Sequence, residues 1–187
     1  MLQLSKSLLN VPVMSLRLGG QVATAVEPII NPNNLKIEGW FCHDSKSKNQ
    51  LVLLSQDIRE ILPQGFAIND FEVLAHPDDL VRLKSILNLD FPLLGHAVIS
   101  DKKRKLGKVS DFATETTTFY IQRLYTSQSM LKNLKGSGTS VDRNQIVEIN
   151  AKAIIVKDPL QPMPVQQQAV ARPQGVPQAM PASPMQQ

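Results

Sequence analysis

The chain has 187 residues, a hydrophobic fraction of 42% and only 5% aromatic residues, so any core must rest mainly on Leu, Ile and Val. Its single cysteine, Cys42, excludes an internal disulfide, and a net charge of +4 is too small to define a nucleic-acid binder by itself. The length suits one ordinary domain or two small ones.

From Met1 to Gly20 the apolar residues are interrupted by Gln3, Lys6, Asn10, Pro12 and Arg17. This run offers no continuous apolar segment of the kind that a signal peptide or a bilayer span requires, and the expectation is a cytoplasmic protein. Beyond it the chain repeats itself. One copy runs through Val13-Met14-Ser15, Gly20-Gln21-Val22, Leu35 to Phe41 and Gln56 to Ile61; the other runs through Val98-Ile99-Ser100, Gly107-Lys108-Val109, Phe119 to Tyr125 and Asn144 to Ile149. The spacings are 85 (Val13 to Val98), 87 (Gly20 to Gly107), 84 (Ile37 to Ile121) and 88 (Ile58 to Ile146), so drift is confined to loops.

The matched segments read as strands, because Leu35, Ile37 and Phe41 alternate with Lys36 and Glu38, and Phe119, Ile121 and Tyr125 alternate with Gln122. Asn31-Pro32-Asn33-Asn34 is a strong turn signal, which predicts a hairpin of residues 20 to 31 with 35 to 42. The repeat places the equivalent turn near Glu115-Thr116-Thr117. Polar loops follow at Asp44 to Asn49 and Lys135 to Thr139, and further short strands are expected at Gly65 to Ile68 and Ala153 to Val156. Between the copies, Pro77 and two Asp residues precede Leu80, Leu83, Ile86 and Leu87 on one helical face, which predicts a linker helix over 76–88.

The composition shifts after Asp158: of the 29 residues from Pro159 to Gln187, 15 are Pro or Gln, a pattern that predicts a disordered tail serving as a spacer or carrying a short linear motif.

The strand Val98-Ile99-Ser100, the run Lys105 to Phe112 and the closing segments Ile146 to Ile149 and Ala153 to Val156 resemble the PRC-barrel family. That module occurs in the photosynthetic reaction-centre H subunit and in the C-terminal part of the bacterial ribosome maturation factor. The second copy fits the family better than the first, where Arg17-Leu18-Gly19-Gly20-Gln21-Val22 replaces the run Lys105 to Val109. The resemblance implies an all-β protein of two tandem small barrels, over 1–75 and 89–158, joined by the short helix and followed by the tail at 159–187. It also implies docking onto other macromolecules rather than catalysis. Gly19, Gly20 and Gly107 are expected at turns that need glycine's conformational freedom.

The candidate binding residues are Lys102, Lys103, Arg104, Lys105 and Lys108, a basic cluster suited to phosphates or an acidic protein patch, or simply to a solvated hairpin turn that discourages edge pairing. No stacking aromatic accompanies it. Cys42 and His43 are adjacent, and His76 and His96 lie far apart, so no metal-ligand spacing is present. Asp57 with Glu60, Asp78 with Asp79, and Asp142 with Glu148 read as exposed or helix-start acids; Gly136-Ser137-Gly138 lacks the Lys-Ser/Thr of a phosphate loop. No catalytic residue, cofactor or metal is expected. The expected partner is a protein or ribonucleoprotein, as in ribosome assembly, with direct RNA or DNA binding through residues 102–108 as the alternative.

Overall fold

A computed structural model describes residues 1–47, 49–127 and 138–158. The predicted tail, and residues 135–137 of the second polar loop, lie outside them. The described chain is mostly β, in two sheets. The first contains β2 (Val11–Ser15), β3 (Gly20–Asn31), β4 (Lys36–Asp44), β5 (Gln50–Leu54), β6 (Ile58–Leu62) and β7 (Gly65–Ile68), in the order β5-β4-β3-β2-β7-β6. The second contains β8 (Ala97–Ser100), β9 (Lys105–Glu115), β10 (Ile121–Ser127), β11 (Thr139–Asp142), β12 (Ile146–Ile149) and β13 (Ile154–Val156), in the order β11-β10-β9-β8-β13-β12.

The two orders are the same, including the parallel pairs β2 with β7 and β8 with β13. Equivalence extends to irregularities. The bulge between Ala25 and Glu27 in β3 is matched between Val109 and Asp111 in β9, and register shifts at Ile29/Ile30 recur at Ala113/Thr114. These landmarks give a constant spacing of 84 from Val22 and Leu106 through Cys42 and Thr126, and of 88 from Leu51 and Thr139 through Ile68 and Val156.

Two expectations are corrected. Neither sheet closes into a barrel among the described residues: β5 and β6 end the first order and β11 and β12 the second, without pairing to each other. A three-residue 3-10 turn, Ser55–Asp57 or Arg143–Gln145, joins these end strands, so each sheet curls until its edges meet at one corner. The linker is not one helix: a 3-10 turn at Pro77–Asp79 gives way at Leu80, whose ψ of 65° leaves the helical region, before a single turn α1 (Lys84–Leu87). So short a segment has little helical stability of its own; packing decides, and Leu83 is buried with Ile29 and Val52 against β3 and β5. In addition, β1 (Leu2–Leu4) joins the second sheet, pairing with β9 through Leu2 opposite Glu115 and Leu4 opposite Ala113. The segment before each repeat thus packs on the other repeat's long hairpin: residues 1–8 on β9, and Leu80 to Leu87 on β3 and its neighbours.

The hairpin tips join the halves. Ile37 donates its amide to the Phe119 carbonyl at 2.9 Å, and Ile121 donates to the Leu35 carbonyl at 2.9 Å, around an isolated bridge of Lys36 with Tyr120. Since Ile37 is equivalent to Ile121 and Leu35 to Phe119, the contact is reciprocal, as an approximate two-fold relation requires. Leu35 and Phe119 both adopt positive φ, 48° and 59°, and both are buried. One continuous core runs through both halves, from Leu8, Trp40 and Phe66 to Phe112, Leu124 and Ile154.

Candidate functional site

The outer ends of the long hairpins carry equivalent turns of unlike chemistry. In the second half, the buried Ser100 holds the turn: its Oγ accepts the Arg104 amide at 3.1 Å, and its carbonyl accepts the Lys103 amide at 2.8 Å. Lys103 takes φ of 62°, a left-handed turn position. Lys102, Lys103, Lys105 and Lys108 are exposed, whereas Arg104 folds back onto the Asp158 carboxylate. Lys105 and Lys108 project from β9, opposite Ile99 and Ala97 of β8, and Lys108 also faces Ser127 of β10. The five predicted basic residues therefore share one end, with four facing solvent and one serving as a tether.

The first half repeats the scaffold. Ser15 is buried, and its Oγ accepts the Leu18 amide at 3.1 Å. Arg17 pairs with Asp70 at 2.9 Å, just as Arg104 pairs with Asp158. Asp70 and Asp158 each follow the last strand by two residues. The solvent face differs: Leu16 and Leu18 are 55% and 57% exposed. Beside them lies a groove of about 340 Å³ lined by Leu18, Val22 and Phe71 with Asp44, Lys46 and Glu72. Hydrogen bonds from the Lys46 amide and the Ser47 hydroxyl hold the Asp44 carboxyl below its usual range. This apolar turn was not singled out from the sequence. Its signal is present in Leu16 and Leu18 flanking Arg17 ahead of a Gly-Gly turn, where polar residues are the usual choice.

The predicted glycines take different places. Gly19 lies in the turn with φ of 65° and donates its amide to Ser15 at 2.9 Å, while Gly20 opens β3 opposite Ser15. Gly107 lies inside β9 opposite Val98, with φ of 123°, at a register shift. The pairing makes it equivalent to Ala23 rather than Gly20, since Ala23 stands opposite Val13 as Gly107 stands opposite Val98.

Two clefts flank the junction of the halves. One, about 550 Å³, lies between β6 and the tip Thr116 to Phe119 and is lined by Ser55, Gln56, Lys36 and Arg59. Its counterpart, about 380 Å³, lies between β12 and the tip Pro32 to Leu35. The smaller one contains Arg143, the equivalent of Ser55. Its guanidinium donates to Asn34 O at 2.5 Å and Ile121 O at 3.2 Å and sits 4.8 Å over the Tyr120 ring. Arg143 was not identified as important from the sequence, because its partners are backbone carbonyls 109 and 22 positions away.

Cys42 is fully buried in β4, and burial pushes its thiol up to about 12, so little thiolate forms near neutral pH. His43 and His76 are exposed, and His96 Nε2 lies 3.0 Å from the Asn150 carbonyl. No three His, Cys, Asp or Glu side chains among the described residues are grouped to hold a metal ion. Asp57 is raised by partial desolvation, and Asp142 pairs with Arg123 at 2.8 Å. No helix among the described residues is long and apolar enough to cross a membrane.

Fold and surface together define a tandem β-protein whose two equivalent halves present different turns to solvent. Comparison with known proteins yields no matching family model and no matching curated sequence.

Proposed function

We propose that the chain is a non-enzymatic adaptor of PRC-barrel type that binds a protein or ribonucleoprotein partner in the cytoplasm, with ribosome assembly or RNA metabolism as its setting. The observation that carries this reading is the contrast at equivalent turns: Leu16 and Leu18 exposed on one, Lys102, Lys103, Lys105 and Lys108 exposed on the other. A buried serine and an Arg–Asp pair anchor each turn, though from different turn positions, and the side chains left to solvent are where we place the partner's contact. A ribonucleoprotein offers apolar protein surface and phosphates together. The test is retention of purified small ribosomal subunits or their precursors by the immobilised chain at low salt. Retention should fall with Leu16→Ser/Leu18→Ser and with Lys102→Ala/Lys103→Ala/Lys105→Ala/Lys108→Ala; no retention by the parent chain rejects the ribosomal setting.

The second reading is direct RNA or DNA binding through residues 102–108. It is favoured by the absence of ion pairs on those four lysines among the described residues. It predicts retention on bare nucleic acid that weakens with salt, by a slope of about 0.7 to 0.9 per phosphate contacted, and is lost in the four-alanine variant. Unchanged binding in that variant rejects it.

A further inference from the structure

The outer face of each sheet meets a different fate in the two halves. In the first sheet it carries Ile29, Phe41, Val52 and Leu54, and Leu80, Leu83, Ile86 and Leu87 of the linker close over it. Strand register places Ala113, Tyr125, Ser140 and Asp142 at the equivalent positions of the second sheet, with Arg123 where the first has Gly39. Ser140 and Asp142 are exposed and Arg123 and Tyr125 are half-buried, so a face that is apolar and covered in one half is polar and accessible in the other.

Two exposed lysines share that face. Lys105 stands opposite Ile99, and Lys108 stands opposite Ala97 on one side and Ser127 on the other. Three residues apart in a regular strand, these lysines would point to opposite faces; the register shift at Val98/Ile99, beside Gly107, turns both outward, away from the buried Leu106 and Val109. Ser127 and Tyr125 are two residues apart on β10 and so lie on one face. Lys108 and Tyr125 are therefore diagonal neighbours across β9 and β10, a separation of about 7 to 8 Å.

We propose that this face of the second sheet binds single-stranded nucleic acid, with a base stacked on Tyr125 and phosphates met by Lys105 and Lys108 on the sheet and by Lys102 and Lys103 at the turn. It rests on the second reading above and adds to it the strandedness of the ligand and the aromatic that the basic cluster lacks in sequence. Cations along the backbone path with a ring beside them are what a single strand requires. A duplex keeps its base faces on one another and leaves the ring nothing to stack on. The acids of the face are engaged elsewhere: Asp142 with Arg123 at 2.8 Å, and Asp111, whose Oδ1 accepts the Ser5 amide at 3.1 Å and the Phe112 amide at 2.7 Å. Arg123 also bonds to the Tyr125 side chain, which holds the ring by its polar end.

The test is fluorescence anisotropy of a labelled oligouridylate of about 12 nucleotides, and of a duplex of the same length, with the full-length chain. Tyr125→Phe keeps the ring, as Phe41 does at the equivalent position, and Tyr125→Leu removes it while keeping apolar bulk. The parent chain and Tyr125→Phe should bind the single strand alike and more tightly than the duplex, and Tyr125→Leu should bind it about fivefold more weakly or worse. An oligonucleotide carrying 5-iodouridine should photo-crosslink to Tyr125 of the unaltered chain, a readout that does not depend on how any variant folds. Equal binding by the Phe and Leu variants, a duplex held as tightly as the single strand, or crosslinks only to other residues overturns the proposal; if the four-alanine lysine variant is still weakened, the second reading stands without it. A parent chain that binds neither oligonucleotide overturns both and leaves the face to a protein partner.

Discussion

In the first half Val13, Ser15, Val22 and Ile37 occupy the positions that Val98, Ser100, Leu106 and Ile121 occupy in the second, and all eight are buried. Between and around these positions the halves diverge freely: Trp40 against Leu124, Ser55 against Arg143, Gly39 against Arg123, Leu18 against a lysine-rich turn. What is shared is a set of buried apolar side chains, mostly β-branched, between the strands and a buried hydroxyl that satisfies a turn amide. What differs lies either at the junction, where reciprocal positions meet different neighbours, or in solvent.

The largest test of this contrast is Trp40→Ala. Trp40 is fully buried, lies 4.8 Å from the Phe66 ring and 5.4 Å from the Phe119 ring of the other half, and donates its indole N–H to Leu8 O at 2.9 Å. Truncation should cost about 3 to 5 kcal/mol. Leu124→Ala, at the equivalent place, should cost less, toward the lower end of about 2 to 5 kcal/mol, because it removes no ring contact across the junction. Urea unfolding of the two variants measures both; an inverted order would mean that Trp40 does not couple the halves.

Next in size is Arg143→Ala. It uncovers carbonyls of Asn34 and Ile121 and removes the guanidinium from Tyr120, with an expected loss of about 1.5 to 3 kcal/mol. Gly39→Ala probes the opposite difference. A Cβ at Gly39 would overlap the Leu53 carbonyl oxygen, although the second half carries Arg123 in the same register. β4 and β5 must separate to admit it, at about 1 to 3 kcal/mol. Thermal unfolding checks both, and a neutral Gly39→Ala would show that the first sheet has room to open.

Much of the fold is visible in the sequence. The spacing of 84 between Ile37 and Ile121 is the true one, and the strand patterns and the Asn31 to Asn34 turn locate the long hairpin. The error at Gly107 arises because glycine was matched to glycine. Strand register instead pairs Gly107 with Ala23, since a bulge asks for backbone freedom that one copy obtains from glycine and the other without it. The exchange of β1 onto β9 is invisible locally, because Leu2-Gln3-Leu4 carries no record of its partner strand. The junction is equally hidden: Arg143 recognises carbonyls, which every residue has. The basic cluster was legible as a composition, but the loss of Arg104 from its solvent face to Asp158 depends on how β13 lies beside β8.

The smallest expected effect separates the two Arg–Asp tethers. Arg17 is 66% exposed and Asp70 16%, whereas Arg104 is 38% exposed and Asp158 10%. Exposed ion pairs contribute about 0 to 1 kcal/mol, less as salt rises. Arg17→Ala should therefore fall near the bottom of that range and vanish at high salt. Arg104→Ala should fall near the top, since its partner is the more buried carboxylate and gains less from water once uncovered. Urea unfolding of both variants, at low and high salt, resolves the order. If Arg17→Ala proves the costlier, the resemblance between the tethers is geometric only, and the apolar turn rather than the basic one depends on its anchor.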